Sequence, residues 1–245
     1  MKLTLVLPTL IALTALSGCG SLSQQRSEKA EDPNVQVDRA LARYEATLAS
    51  GTACKTASKG WSDPVDCEGL LREVMQLYAA YPNNERVGLL AALMAYQSGR
   101  AEQAAYLLDQ LLRGHKPRPE AAILRSRIAM EEGNLNLART LLLQQIRLNP
   151  RHPQLHETLA AVHYLARNHA AAFNALALAE RLGAPAWHVA YHRGLVFEQQ
   201  QQRDAACQQY TLALTANRQF TAPQSRLVGM ADSPACLKFK NLIGG

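Results

Sequence analysis

Two pairs of histidines stand where their spacing could do chemistry. His152 and His156 are four residues apart, and so are His188 and His192. Residues four apart share one face of a helix, and two imidazoles so placed can hold zinc or move a proton. The pattern stops there. No HExxH occurs, and no carboxylate or cysteine is spaced to complete either pair. His163 reads as a satisfied core histidine. GxSxG turns, Walker loops and GxGxxG stretches are absent. The residues therefore point away from an enzyme, and neither cofactor nor metal is expected. The remaining reactive groups are five cysteines. Cys19 ends an apolar run, while Cys54, Cys67, Cys207 and Cys236 form an even set with no CxxC.

Composition narrows the partners. The chain has 245 residues and a net charge of +6, one unit of which belongs to Lys2. Its basic residues are scattered, with no aromatic-interleaved stripe, which argues against nucleic acid. Abundant Ala, Leu and Gln suit helices, and four Phe and two Trp leave few bulky core groups.

The elements that must position these residues follow a period. Ala104, Ala138, Ala172 and Ala206 are spaced by 34. Twelve residues before each stand Ala92, Ser126, Ala160 and Gly194, all small. Four residues after each stand Leu108, Leu142, Leu176 and Tyr210, all large. Five before each stand Gly99, Gly133, Arg167 and Gln201, so the turn glycine survives in two copies. Pro117, Pro150 and Pro185 fall at or beside the copy ends. Small residues let two helices approach, the large one fills the gap, and glycine supplies a positive φ between helices. Proline stops one copy and starts the next. A hairpin of this kind cannot bury its apolar face alone, so copies must stack.

This frame resembles the tetratricopeptide repeat over at least residues 85–218, best in "PEAAILRSRIAMEEGNLNLARTLLLQQIRLNP". The resemblance implies an all-α, right-handed superhelical solenoid of about five helical hairpins. A divergent first repeat is expected over 34–84, with helices near Val35–Ala49 and Pro64–Tyr81, the second capped by Ser62 or Asp63. The 15-residue insertion "SGTACKTASKGWSDP" separates them. Four repeats then fill 85–218. After Asn217 the frame is lost, and 219–245 is expected to cap the last repeat, with a short helix near Gln224–Val228 and Phe220, Leu227 and Leu237 as covering contacts.

The amino terminus sets the location. Lys2 precedes an apolar run over Leu3–Leu16, shorter than the roughly 20 residues that span a bilayer but matched to a secretory signal. Leu16-Ser17-Gly18-Cys19 resembles the lipobox of bacterial lipoproteins. That implies a signal peptide over 1–18, a lipid on Cys19, and a mature chain starting there. Gly20, in place of aspartate, favours the outer membrane. Residues 19–33 read as a flexible tether. In an oxidising compartment four cysteines imply two disulfides. Three pairings are possible; Cys54–Cys67 and Cys207–Cys236, which join neighbours in the chain, are expected.

Carrying over the groove positions of the repeat family puts Leu89, Leu93, Tyr96 and Gln97 on the binding face, then Ile123, Arg127, Met130 and Glu131. Glu157, Ala161, Tyr164 and Leu165 follow, then Tyr191, Leu195, Glu198 and Gln199. Tyrosine gives a large, rigid contact with a polar tip. The expectation is a lipid-anchored outer-membrane scaffold that grips protein partners in the periplasm or outer membrane, with no nucleic acid and no small-molecule substrate. Its layout is similar to pilus and secretion assembly lipoproteins, including pilotins and tight-adherence lipoproteins. An adaptor docking peptidoglycan hydrolases is the alternative, and a metal protein or enzyme using the paired histidines is a third.

Overall fold

The structure, a computed structural model, describes residues 31–49, 67–230 and 236. The chain divides into two units, Met1–Glu31 and Asp32–Gly245, and all described helices lie in the second. They are α1 Pro33–Ala49, α2 Cys67–Ala80, α3 Glu85–Gln97, α4 Ala101–Leu111, α5 Pro119–Glu131 and α6 Leu135–Leu148. Then come α7 Pro153–Leu165, α8 His169–Arg181, α9 Ala186–Gln199, α10 Arg203–Ala216 and α11 Ala222–Gly229. Each odd helix up to α9 packs on the even helix that follows it, giving five hairpins. The expected all-α solenoid of paired antiparallel helices is what forms. The helix expected near Gln224–Val228 is α11. The cap at Ser62 or Asp63, the insertion loop, Cys54 and Leu237 lie outside the described residues.

The 34-residue frame is the core. Ala92, Ser126, Ala160 and Gly194 from the odd helices and Ala104, Ala138, Ala172 and Ala206 from the even ones are all buried. Leu108, Leu142, Leu176 and Tyr210, one turn beyond each alanine, are fully buried. Ser126 keeps its hydroxyl satisfied by donating to the Ala138 carbonyl at 3.3 Å. In the fifth hairpin the two volumes trade places. A Cβ built on Gly194 would fall 2.6 Å from Cδ1 of Tyr210 and 3.0 Å from its Cζ. The missing methyl is the space that the ring occupies.

The turn between the paired helices is the same in the second to fifth hairpins. Gly99 and Gly133 have φ of 75°, and Arg167 and Gln201, with φ of 57° and 63°, take the same left-handed conformation without glycine. In each, the next residue's amide reaches back to close the helix end: Arg100 to the Ala95 carbonyl, Asn134 to Ala129, Asn168 to His163 and Gln202 to Phe197, at 2.7–2.9 Å. These are the paired backbone bonds of a Schellman motif. Asn134 and Asn168 then cap the next helix through their side chains, accepting from the Leu137 and Ala171 amides.

Successive hairpins are held by apolar contact and by ion pairs. Arg100 meets Glu68 at 2.6 Å, and Arg118 and Arg86 pair with Glu85 and Asp38, while within the first hairpin Arg43 meets Glu73 at 2.6 Å. Buried Arg125 reaches Asp109 at 3.0 Å. These arginines stitch the array together and do not form a free basic surface.

Odd helices touch the next odd helix, α1 with α3, α3 with α5, α5 with α7 and α7 with α9. Among the described residues, even helices do not pack on the next even helix in this way. The odd helices therefore converge and line the inner side of the curve. The carboxyl end is closed by α11 on α10. Leu227 is buried there beside Tyr210, Cys207 and Met230. Phe220 covers the end of α9, with ring centroids 4.8 Å from Trp187 and 5.0 Å from Tyr191. Cys207 and Cys236 lie side by side, with Cα atoms 5.4 Å apart.

Candidate functional site

The inner side carries two distinct stretches. The first spans α1, α3 and α5. The Tyr96 hydroxyl donates to the Glu131 carboxylate. Burial, reinforced by that bond, pushes the phenol up to about 12 in spite of the nearby Arg127 guanidinium. Arg127 is exposed and close enough to Tyr44 on α1 to oppose the upward effect of burial on that phenol. One tyrosine pair, one arginine and one carboxylate from three consecutive hairpins thus share a patch. Leu89 and Leu93 on α3 and Ile123 and Met130 on α5 are half-buried.

The second stretch spans α7, α9 and α11. Tyr164, Glu198, Gln199, Gln201 and Arg203 join Gly229 and Met230 around a cavity of about 360 Å³. Glu198 accepts from Tyr210 at 2.5 Å and faces Arg226 at 3.4 Å. Burial and this bond raise the Tyr210 phenol above its ordinary value. Tyr191 and Leu195 pack into the apolar cluster under the cap. Tyr191 and Glu198 therefore have partners within the chain, whereas Tyr164 opens on the cavity.

The histidine pairs come out differently from each other. On α7, His156 Nε2 lies 2.8 Å from the Pro150 carbonyl and His152 Nε2 is 3.5 Å from the exposed Glu120 carboxylate, so that pair does not converge. On α9 the pair does. The expectation that no carboxylate completes it is corrected by the structure: Glu157, reaching across from α7, puts Oε1 2.5 Å from His188 Nδ1 and 3.6 Å from His192 Nε2. Its side chain is 6% exposed. Burial holds the His192 imidazole at about 4, against the upward pull of Glu157, with His188 lowering it further. Sequence spacing missed Glu157 because it lies 31 and 35 residues away, on the neighbouring repeat. The signal was there in the period, since residues about 34 apart face each other across adjacent odd helices. His163 is half-buried, and burial with Arg139 lowers its pKa.

Known proteins share this architecture. The tetratricopeptide repeat family matches residues 95–162. No curated protein matches the chain by sequence. The structure is similar to TTC0263, a thermophilic tetratricopeptide-repeat protein of Thermus thermophilus. The TM-score is 0.65 at 16% identity, covering 80% of this chain and 100% of that one. A chain of the APC/C hetero-tetramer Cut9–Hcn1 matches with a TM-score of 0.59 at 16% identity, over 86% of this chain and 39% of the other. Pseudomonas aeruginosa pilF matches with a TM-score of 0.58 at 14% identity, over 82% and 85%. At these identities the likeness is one of fold. The protein is an all-α solenoid of paired antiparallel helices whose fold is similar to that of tetratricopeptide-repeat proteins. No described helix is long and apolar enough to cross a membrane.

Proposed function

We propose that the protein is a non-enzymatic scaffold of the bacterial envelope. In this reading it is tethered to the outer membrane by a lipid on Cys19 and grips a protein partner with the inner face of its repeats. The observation that carries the reading is that both stretches lie along the line of odd helices, each touching the next. Tyr96, Arg127 and Glu131 sit in one patch, and Tyr164 opens on the 360 Å³ cavity two hairpins further on. One extended segment of a partner could lie across both. Repeat arrays present such surfaces because each hairpin adds another helix to the same side. The lipobox-like leader, tether and array together support a place in assembling a pilus or secretion machine. The likeness to pilF adds support for the fold alone.

The test is crosslinking in cells, identification of the captured proteins, and pull-down with a Tyr96→Ala/Tyr164→Ala double variant whose melt is unchanged. Truncating a buried tyrosine anchor costs about 2 kcal/mol or more of binding, so capture should fall at least 10-fold. Capture of secretin or pilin components supports the assembly role. Capture of peptidoglycan hydrolases moves the scaffold to cell-wall chemistry. Full retention of binding by the double variant rules out the inner face.

A further inference from the structure

We propose that Glu157, His188 and His192 form a binding site for a divalent transition-metal ion of the zinc class, clasping the fourth hairpin to the fifth. Three ligating atoms converge: Glu157 Oε1, His188 Nδ1 and His192 Nε2 all lie within 4.8 Å of one another. Two ligands of a tetrahedral zinc at 2.0–2.1 Å are separated by about 3.3 Å. The Oε1 separations of 2.5 and 3.6 Å bracket that value, so small rotations of three side chains bring the set onto one ion. The donor set, one carboxylate oxygen and two imidazole nitrogens, is one that holds zinc with a fourth position open to water.

A second observation points the same way. Glu157 Oε1 is buried and has no hydrogen-bond partner, even though His188 Nδ1 is only 2.5 Å away. The nitrogen approaches without aiming a proton at the oxygen, which is how two ligands of a common ion face each other. A buried, unsatisfied carboxylate oxygen costs free energy. Among the described residues its only ion-pair partners are these two imidazoles. No lysine or arginine neutralises it there. The surroundings favour a fixed site. The His188 ring meets Trp187 at 4.9 Å in a tilted contact and Phe220 at 6.1 Å edge-on, and His192 lies 4.9 Å from His188 and 5.7 Å from Tyr191. These aromatic contacts limit the rotations of both imidazoles and shield one side, while His188, 37% exposed, leaves a way in. The ligands belong to adjacent odd helices, so an ion here would fix the angle between α7 and α9 at the cap end of the inner face.

The experiment uses the full-length chain, purified without a polyhistidine tag and stripped with a chelator. Zinc is titrated calorimetrically, and cobalt(II) is used as the spectroscopic probe. The expected result is one saturable site, a rise in melting temperature with zinc, and the intense visible bands of four-coordinate cobalt without sulfur-to-metal charge transfer. Glu157→Gln and His192→Ala should each weaken binding about 100-fold, while His152→Ala/His156→Ala should leave it unchanged. Absence of saturable binding to the parent chain overturns the proposal. So do charge-transfer bands, which would assign the metal to the cysteines, and undiminished affinity in folded His192→Ala. Should that variant not fold, the spectrum of the parent chain still decides. Partner capture is read separately, so failure here leaves the scaffold reading standing.

Discussion

His152 and His156 open α7 much as His188 and His192 open α9, with the same spacing, yet only the second pair converges on one carboxylate. The difference is rotation. His188 lies 36 residues after His152, two more than the 34-residue repeat. Two residues turn a helix face by about 200°. His192 is therefore swung toward Glu157 on α7, and His156 toward the Pro150 carbonyl, while His152 precedes α7 as its N-cap and reaches Glu120 on α5 separately. Spacing within a helix says which residues share a face. Phase within the repeat says what that face meets.

The fifth hairpin differs from its neighbours in more than its histidines. It ends the array, so its outer apolar face has no following repeat, and the cap must cover it. The largest expected effect tests that difference. Cys236→Ala should cost about 3 kcal/mol, from a cross-link closing a loop of 29 residues. The loss should be localised, with hydrogen exchange in α10 and α11 rising while α5 and α6 stay protected, since repeats open from their ends. Peptide mapping without reductant should recover Cys207 with Cys236. A variant that melts like the parent would mean that apolar contacts of Phe220 and Leu227 hold the cap without the cross-link.

The next effect sharpens the volume exchange. Gly194→Ala puts a methyl into the Tyr210 ring, and overpacking of this kind costs about 1–3 kcal/mol. Tyr210→Leu should make the alanine acceptable, because alanine facing leucine is what Ala92 and Leu108 already do. The double variant should therefore be more stable than the sum of the single losses predicts. It also loses the hydrogen bond to Glu198, so recovery will be partial. Ala138→Leu in the third hairpin, where no neighbour has yielded space, should cost a similar amount with no single rescue. Additive losses at Gly194 and Tyr210 would break the pairing.

Much of this was legible in the residues. The period of 34 located the hairpins, and the small and large positions named the buried contacts, because packing at a helix crossing admits few volumes. The short helix after Asn217 was legible because proline and glycine interrupt the frame. What escaped were contacts between copies. Tyr96–Glu131, Arg118–Glu85 and Glu157–His188 join residues 31–35 apart. Each is decided by how one hairpin is rotated on the next, and that angle is written in no single segment. The engagement of Tyr191 and Glu198 by the cap escaped for the same reason, since Phe220, Tyr210 and Arg226 all lie downstream of the helix that carries them.

The smallest effect concerns the turns, and here the sequence and the backbone part company. Glycine is present at 99 and 133 and absent at 167 and 201, yet all four positions hold a left-handed φ and the same pair of backbone bonds. The conformation is thus imposed by the hairpin and not by the residue. Holding an L-residue with a side chain there costs about 1–2 kcal/mol. Glycine avoids that penalty but gives back part of it through the greater freedom of its unfolded chain. Arg167→Gly should therefore stabilise by about 0.5–1 kcal/mol, and Gly133→Ala should destabilise by about the same. In a chain of this size that is a shift of roughly 2–4 °C in melting temperature per kcal/mol. Gln201→Gly should give the same gain in stability, but Gln201 also lines the 360 Å³ cavity with Tyr164. The two glycine variants together separate turn from surface. Equal melts with weaker partner capture in Gln201→Gly alone would place the partner in that cavity. A drop in melting temperature for Arg167→Gly would show that the arginine side chain makes a contact worth more than the strain it tolerates.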